Sequence, residues 1–253
     1  MLESQEPLPA QVKNYVRYRP GYPAGVVALL REGCRLVPAW VVADVGAGPG
    51  DLTRLFLENG NTVIAVEPSR EMRMAGERLL RDHPGFTSTA GNAENTSLLD
   101  GSVDLVVAGQ AFHHFDPIRC KREWRRILRA PRWVALVWNV FRVESSPVLA
   151  GYEVILQHYA LDPAAATLQV VVPNDVLAAF FAPHGYNQAS LPNAQSFDFD
   201  GLTGRLLSVA SIPEPGHRSY TAMIEELRGL FETHQRMGVV SFDYDTTVYY
   251  GRI

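Results

Sequence analysis

The segment between residues 40 and 60 constrains the fold more than any other part of the chain. Residues 40–45 are apolar and β-branched, which predicts a buried strand. Glycines follow at positions 46, 48 and 50, and residues 51–59 then have a helical pattern that Gly60 ends. A strand that turns over glycines into a helix brings backbone N–H groups and the positive helix end together. We therefore expect a ligand with a carboxylate, a phosphate or a ribose at this turn.

The spacing of the glycines separates two kinds of nucleotide site. The dinucleotide fingerprint Gly-x-Gly-x-x-Gly would place its third glycine at position 51, where this chain has Asp51. The run Asp-x-Gly-x-Gly-x-Gly from Asp44 to Gly50 instead resembles motif I of the class I S-adenosylmethionine (SAM) dependent methyltransferases. The alternative on this stretch alone is a tight turn whose glycines serve packing only.

A second acidic residue supports a nucleoside site. Residues 62–67 form another apolar run, and Glu67 ends it. A carboxylate at the tip of this strand can accept hydrogen bonds from both hydroxyls of an adenosine ribose. The alternative is a solvated acid at a strand end. Together with the glycine turn, Glu67 favours ribose binding.

The segment 15–23 holds three tyrosines and two arginines among two prolines, which we expect to prevent a helix there. Residues 1–14 are polar and predicted to be loose. The Tyr-Arg-Pro-x-Tyr-Pro pattern is similar to the opening segment of a small-molecule branch of these methyltransferases, in which an arm closes over the methionine end of the cofactor. The resemblance implies that Tyr18 and Arg19 contact the cofactor, Arg19 being suited to a carboxylate. The remaining alternative is an ordinary terminal segment.

Residues 86–90 predict a third strand, after a helix that Ser69 caps. In the family, the residue at Asn92 or its neighbour faces the adenine ring, although an asparagine in a turn is a strong alternative. The resemblance therefore implies a cofactor site with a set of turn residues from four strand ends: Asp44, Gly46, Ala47, Gly48, Gly50, Glu67, Pro68, Asn92, Ala93 and Gln110.

The fourth predicted strand, 103–108, runs into a loop with two imidazoles, His113 and His114. Ligands of open parallel sheets bind beyond the carboxyl ends of the strands. We expect one of these histidines to lie nearest the methyl acceptor, either as a base or as an orienting group. A fifth strand, 132–138, carries Asn139 at its tip. The predicted acceptor pocket is partly apolar and contains Tyr15, Tyr22, Phe112, His114, Trp138 and Asn139.

The alternation of strands and helices predicts an α/β, doubly wound, Rossmann-like sheet with right-handed crossovers. We expect a single domain, 1–253, whose core covers about 24–140 and 217–253. Residues 1–23 and about 141–216 would form a cap over the strand ends. Residues 217–237 predict a long helix, and 239–244 with 246–250 predict a hairpin. This hairpin would complete a seven-stranded sheet with an antiparallel C-terminal strand, as in the class I methyltransferases.

Composition limits the partners. The net charge of -4 argues against binding to nucleic acid. The sequence contains no apolar run long enough to span a membrane, and its first 14 residues have no apolar signal core, so we expect a cytoplasmic protein. Its two cysteines, Cys34 and Cys120, predict reduced thiols. We expect no metal, because adjacent residues such as His113 and His114 rarely bind one ion together.

The predicted function is transfer of the SAM methyl group to an oxygen, for example of a carboxylate, or to a nitrogen of a small, partly apolar molecule, leaving S-adenosylhomocysteine. The fourth strand lacks the Asn/Asp-Pro-Pro-aromatic signature of enzymes that methylate amino groups of DNA and proteins. Two alternatives stay open. A nucleotide-dependent oxidoreductase is disfavoured by Asp51 and by the lack of a Tyr-x-x-x-Lys pair in the cap region. The other is a SAM-binding protein without turnover. The sequence predicts neither the acceptor nor the oligomeric state.

Overall fold

The structure, a computed structural model, describes residues 7–162, 168 and 172–253. The chain divides into two compact units. The large unit comprises Gly21–Val140, Val170–Asn193 and Asp245–Ile253. The small unit comprises Met1–Pro20, Phe141–Gln169 and Ala194–Tyr244.

Helices and strands alternate along most of the described chain. In order they are α1 (Ala10–Tyr18), α2 (Gly25–Cys34), β1 (Val41–Val45), α3 (Asp51–Glu58), β2 (Thr62–Val66), α4 (Arg70–Leu80), β3 (Phe86–Thr89), β4 (Val103–Gly109), α5 (Pro117–Ile127), β5 (Leu128–Phe141), α6 (Pro147–Tyr159), α7 (Asn174–Phe181), β6 (Tyr186–Phe197), α8 (Phe199–Leu206), α9 (Tyr220–His234) and β7 (Val240–Arg252).

The strands form a seven-stranded sheet in the order β3-β2-β1-β4-β5-β7-β6. Strand β1 lies parallel to both β2 and β4, and the pairs β2–β3 and β4–β5 are also parallel. The C-terminal strand is antiparallel. The order reverses at β1 and β4, so the ends of these two strands flank the crevice where such sheets bind ligands. The predicted doubly wound sheet with an antiparallel C-terminal strand is confirmed.

The large unit has an apolar cluster on each face of its part of the sheet, because successive residues of a strand point to opposite faces. Val106 and Ala108 of β4 pack in the cluster that includes residues of α5 and α7. Leu105 and Val107 pack in the other cluster, with residues of α2 and α3. Burial on both faces explains why the parallel strands read as continuous apolar runs.

The small unit has an apolar cluster of its own. Helix α6 packs against α9, and α1 packs against α8. At the second contact Gly204 is required, because a Cβ atom there would overlap the ring of Tyr18. The aromatic rings of Phe141, Tyr152 and Phe242 lie in the same cluster.

The first departure from the sequence prediction is at the N-terminal segment. Residues 10–18 form helix α1, so the expectations of a loose terminus and of a non-helical arm are wrong there. The two prolines of the arm, Pro20 and Pro23, stand after the helix has ended. A proline disfavours helix in the residue directly before it, and Tyr18 is two positions away from Pro20. The other predicted terminal residues, 1–6, lie outside the described part.

The region predicted as cap supplies part of the sheet. Residues 174–181 form α7, whose Leu177, Phe180 and Phe181 pack in the core of the large unit, and residues 186–197 form strand β6. The predicted terminal hairpin is also wrong, because 240–252 is one continuous strand that lies between β5 and β6. The acidic Asp245 suggests a turn, but the alternation of apolar residues continues across it within one strand.

The helix starts agree closely with their local signals. Ser69 caps α4 by accepting a hydrogen bond from the Met72 N–H at 3.3 Å, and Asp116 caps α5 through the N–H groups of Ile118 and Arg119 at 3.0 Å. Both cysteines are buried free thiols. No helix in the described ranges is long and apolar enough to cross a membrane.

Glu123 of α5 connects this helix to the loop between β3 and β4. Its Oε1 accepts hydrogen bonds from the Thr96 N–H at 2.9 Å and the Thr96 hydroxyl at 2.6 Å. Arg126 donates to both carboxylate oxygens, at 2.8 and 2.7 Å. The hydrogen bonds from Arg126 and Thr96 lower the pKa of Glu123 to about 2.

The pKa of Glu123 is lower in the folded chain than in the unfolded chain, where it has its ordinary value of 4.5. The ionised carboxylate therefore stabilises the fold above pH 4.5, and this stabilisation is lost as the pH falls towards about 2. We expect Glu123→Gln to be less stable than wild type at pH 7, by at most about 3 kcal/mol, and the difference to shrink at acid pH. Urea unfolding followed by tryptophan fluorescence at several pH values measures it. The exposed Glu58→Gln serves as control, and parallel pH profiles of Glu123→Gln and wild type would contradict the role.

Candidate active site

The turn after β1 leaves open space over one of its three glycines. All three have positive φ, at 73°, 55° and 94° for Gly46, Gly48 and Gly50. A Cβ atom at Gly46 would lie 2.8 Å from the Ala111 side chain, and one at Gly50 would lie 2.5 Å from Leu80. A Cβ atom at Gly48 would meet nothing within 4 Å. Two glycines are therefore needed for packing, and Gly48 is the position at which a ligand can approach the backbone.

Glu67 fixes this turn from the end of β2. Its Oε2 accepts a hydrogen bond from the Gly48 N–H at 2.9 Å, and its Oε1 accepts one from the Ser69 N–H at 2.9 Å. The residue is 8% exposed. An ionised carboxylate has about four acceptor positions, so two remain for a ligand. The structure places Glu67 at the strand tip, and its role towards a ribose stays a prediction.

Asp44 lies under the turn as a fully buried carboxyl group. Its Oδ2 accepts a hydrogen bond from the Thr53 hydroxyl at 2.6 Å, and its Oδ1 has no partner among the described residues. Burial raises the pKa of Asp44 to about 7. Burial also raises the pKa of Asp51, at the start of α3, to about 6.

Three carboxyl groups, those of Asp44, Asp51 and Glu67, thus surround one glycine turn. Coulombic repulsion by Glu67 and Asp51 contributes to the raised pKa of Asp44. Negative charge at this spot attracts a cationic ligand and opposes the pyrophosphate of a dinucleotide. The site is therefore suited to a nucleoside that carries positive charge.

The end of β4 forms the opposite side of this crevice. An added Cβ atom at Gly109 would lie 2.5 Å from the Tyr22 hydroxyl oxygen, so the tyrosine lies directly over the strand end. Gln110 adopts φ 52°, and its side-chain oxygen accepts a hydrogen bond from the Asn139 N–H at 2.6 Å. Gln110 therefore joins the ends of two neighbouring strands.

Asn139 holds the segment that precedes Tyr22. Its Nδ2 donates to the Gly21 carbonyl at 3.1 Å, and its Oδ1 accepts from the Thr246 hydroxyl at 2.6 Å and from Asn193 at 3.1 Å. The expectation that Asn139 stands at the tip of its strand is wrong, because β5 continues to Phe141. With 3% exposure, Asn139 positions other groups and does not face the crevice.

His113 and His114 lie in a short 3₁₀ turn, Phe112–His114, after β4. Their ring centroids are 3.8 Å apart. Burial, with a smaller contribution from His114, lowers the pKa of His113 to about 4, so its imidazole is neutral at pH 7. Its Nδ1 is buried without a partner among the described residues, whereas His114 is exposed.

Comparison with known proteins agrees with this geometry. Residues 43–135, which contain the glycine turn, Glu67 and the histidine turn, match a family model described as a methyltransferase domain. An uncharacterised methyltransferase of Mycobacterium tuberculosis is 39% identical over 128 residues, which are 51% of this chain and 50% of the relative. An uncharacterised methyltransferase of Schizosaccharomyces pombe is 26% identical over 94% of this chain and 93% of its own length. The chain is therefore similar to methyltransferases, and the match to their domain model covers residues 43–135.

Solved structures show the same fold. A candidate type II methyltransferase from Anaeromyxobacter dehalogenans superimposes with a TM-score of 0.63 at 24% identity, covering 93% of this chain and 98% of the other. A candidate methyltransferase of an antibiotic biosynthesis pathway from Anabaena variabilis gives 0.61 at 20% identity, covering 94% and 99%. The matched stretch spans about half the length of the mycobacterial relative. The resemblance to methyltransferases that the glycine turn predicts is confirmed.

Two aromatic residues of the predicted acceptor pocket lie in the core. Phe112 is 1% exposed, and its ring centroid is 4.7 Å from that of Phe180. Trp138 is 3% exposed and packs against Tyr249, with ring centroids 5.7 Å apart. The aromatic content near the rim predicts that both line the acceptor pocket, whereas the structure buries both in the core; their contact with an acceptor stays a prediction.

Four of the predicted cofactor residues form hydrogen bonds within the protein. The side-chain oxygen of Asn92 accepts a hydrogen bond from the Asn95 N–H at 2.8 Å, which is the turn role weighed as an alternative. The carbonyl oxygen of Ala93 accepts a hydrogen bond from the Trp124 indole at 3.0 Å. Ala47 donates its N–H to Val66, and the Pro68 carbonyl accepts from Arg73. Their contacts with a cofactor stay predictions.

Tyr15, Tyr18 and Arg19 belong to the small unit, whereas Tyr22 and the glycine turn belong to the large unit. Arg19 donates from Nε to the Ser208 hydroxyl at 2.9 Å, and its guanidinium lies 5.0 Å from the centroid of the Tyr15 ring. Tyr18 packs against Gly204. The family expectation that Tyr18 and Arg19 contact the cofactor stays a prediction.

Sequence reasoning missed three residues of the large-unit site: Thr53, Asn193 and Thr246. Thr53 lies in the first turn of α3, where its hydroxyl can reach a carboxylate under the turn, so the helix position was a usable signal. Asn193 and Thr246 meet Asn139 across separations of 54 and 107 residues. Such contacts leave no mark in a local pattern.

Replacement of Asn139 by alanine should lower the free energy of unfolding by about 1–3 kcal/mol, because it leaves the Thr246 hydroxyl and the Gly21 carbonyl without this buried partner. Chemical denaturation measures the change. Asn187→Ala, at an exposed position of β6, is the matched control and should be within about 0.5 kcal/mol of wild type. Equal stability of the two variants would show that the Asn139 network contributes nothing.

Proposed function

We propose that the protein transfers the methyl group of SAM to an oxygen or nitrogen atom of a small, partly apolar molecule. The observation that carries the proposal is the glycine turn, in which open backbone at Gly48 is surrounded by the carboxyl groups of Asp44, Asp51 and Glu67. SAM is a nucleoside with a sulfonium and an ammonium group, whereas a nicotinamide dinucleotide is an anion. The same charges therefore disfavour the oxidoreductase alternative.

The residues at the turn fit the cofactor. Glu67 has acceptor positions left for ribose hydroxyls, and Gly48 offers backbone that a ligand can approach. The unpartnered Oδ1 of Asp44 is buried under the turn, so Asp44 acts on the ligand through its charge. We assign the ribose to Glu67 and a cationic group of the ligand to the field of Asp44.

When bound, SAM supplies a methyl group that an acceptor oxygen or nitrogen takes as the carbon–sulfur bond breaks and its electron pair stays on sulfur. The protein has to hold the acceptor about 3 Å from the methyl carbon and exclude water. Tyr22, held over Gly109 through Gly21, is placed to line this crevice. His113 is neutral and can take a proton, but its lowered pKa makes it a weak base, so we favour a positioning role.

The first test is ligand binding by calorimetry. Wild type should bind S-adenosylhomocysteine and should not bind NAD. Gly48→Val should lose S-adenosylhomocysteine binding, because the side chain occupies the space over the turn. Gly101→Val is the matched control, since Gly101 has a similar φ of 57° and the same open surroundings, so both variants carry the same backbone strain.

Binding of NAD, or unchanged S-adenosylhomocysteine affinity in folded Gly48→Val, would contradict the proposal. Turnover is tested separately by incubation with SAM and a panel of carboxylate, phenol and amine acceptors, with product detection by mass spectrometry. Binding without any methylated product from a broad panel would favour the SAM-binding protein without turnover.

The raised pKa of Asp44 predicts a pH dependence of binding. Below pH 7 the carboxyl group is protonated in the free protein, and a cationic ligand favours the ionised form. Affinity should therefore rise with pH, by up to about tenfold between pH 6 and pH 8. Calorimetry with SAM, which carries the sulfonium charge, measures the slope, which Asp44→Asn should flatten. A wild-type affinity that is constant or falls over this range would show that Asp44 does not interact with the ligand.

A further inference from the structure

The small unit contains two neighbouring arginines, one buried and one half-buried. Arg205 of α8 is 1% exposed, and Arg19, which follows the end of α1, is partly exposed. The Nε of Arg19 donates to the Ser208 hydroxyl at 2.9 Å, and Nη1 of Arg205 donates to the same oxygen at 3.3 Å. Two guanidinium groups therefore converge on one hydroxyl group.

The described residues supply no negative charge to this pair, because neither arginine has a carboxylate partner among them. Burial, and then repulsion by Arg205, lowers the pKa of Arg19 to about 10. Because guanidinium groups keep their protons in proteins, two positive charges lie together without a counter-ion among the described residues. Such an arrangement is unfavourable unless something else compensates it.

Aromatic rings provide only part of the compensation. The guanidinium of Arg19 lies 5.0 Å from the Tyr15 ring centroid, and that of Arg205 lies 5.6 Å from the Phe141 ring centroid. Arg205 also lies close to the Tyr244 hydroxyl, which donates a hydrogen bond to Gln195 Oε1 at 2.9 Å. A purely structural role of the two arginines would involve only contacts of this kind.

Unused hydrogen-bond donors argue for a ligand. The Nε of Arg205 and the hydroxyl of Tyr152 are both buried, and neither has a partner within the described ranges. Tyr152 is close enough to Arg19 to influence its charge. Unpartnered buried donors beside a pair of cations can be satisfied by a group that only accepts hydrogen bonds and is negatively charged.

We propose that Arg19, Arg205 and Tyr152 bind the carboxylate of a small organic molecule that is distinct from the cofactor. Arginine binds carboxylates through two parallel hydrogen bonds, and a tyrosine hydroxyl can donate a third. The rings of Tyr15, Phe141 and Tyr244 around the pair suit an anion that is otherwise apolar. The position of Arg19 is fixed because Tyr18, the residue before it, packs against Gly204.

The carboxylate could belong to the methyl acceptor or to a separate effector. The first source rests on the proposed function, whereas binding itself does not. A third source, the carboxylate of SAM, is what the family resemblance implies for Arg19. These three sources make different predictions in a competition experiment.

The test uses the full chain and five anions: benzoate, hexanoate, succinate, citrate and inorganic phosphate. Benzamide is the neutral counterpart of benzoate. Calorimetry and thermal unfolding should show binding of at least one carboxylate and none of benzamide. Arg19→Gln should weaken this binding by about tenfold to a hundredfold, since it removes charged hydrogen bonds. Arg17→Gln, on the same helix but exposed, is the matched control and should bind as wild type does.

Arg205→Lys keeps the charge but loses the planar donor pair, and should weaken carboxylate binding while the protein stays folded. Failure of every carboxylate to bind, or equal binding by folded Arg19→Gln and wild type, would overturn the proposal. Loss of carboxylate binding when S-adenosylhomocysteine saturates the protein would also overturn it, and would assign the cluster to the cofactor.

A bound carboxylate that SAM converts into a methylated product identifies the acceptor, and one that is recovered unchanged identifies an effector. Because carboxylate binding is measured without SAM, its failure is distinct from a failure of the proposed methyl transfer. Both assignments retain the inferred anion site.

Discussion

The site depends on the carboxylate of Glu67, which joins two neighbouring parallel strands at their ends. It accepts one hydrogen bond from the N–H group of Gly48, in the turn after β1, and one from the N–H group of Ser69, which caps α4. These N–H groups belong to chain segments that leave the sheet in separate crossovers. One charged acceptor therefore sets the shape of the turn and places its negative charge beside the open face of Gly48. The buried Asp44 adds to this field from below.

The sequence predicts the fold best between residues 41 and 127. Strands β1, β2 and β4 are mostly buried and read as apolar runs, and helices α4 and α5 begin at the local signals Ser69 and Asp116. The glycine turn and the acid at the end of β2 could be predicted for the same reason, because the strand–turn–helix geometry is encoded within a few residues. These elements carry the most specific part of the resemblance to the class I methyltransferases.

The other half of the fold depends on contacts between distant residues. Strand β6 is rich in polar residues, because most of its side chains are partly or fully exposed. The sequence therefore predicts a cap there and not a strand. Residues far apart in sequence meet in the hydrogen bonds around Asn139 and in the pair of Arg19 with Arg205. A local pattern cannot report such pairs. The core positions of Phe112 and Trp138 were missed because an aromatic residue near a strand end can face either way.

The two clusters of charge have opposite sign, carboxylates at the glycine turn and arginines in the small unit. Methyl transfer from a sulfonium to a carboxylate oxygen reduces both charges in the transition state. Arginines bound to the reacting carboxylate would stabilise the reactants more than the transition state and would slow the reaction. The arginine cluster therefore suits a carboxylate that does not itself accept the methyl group.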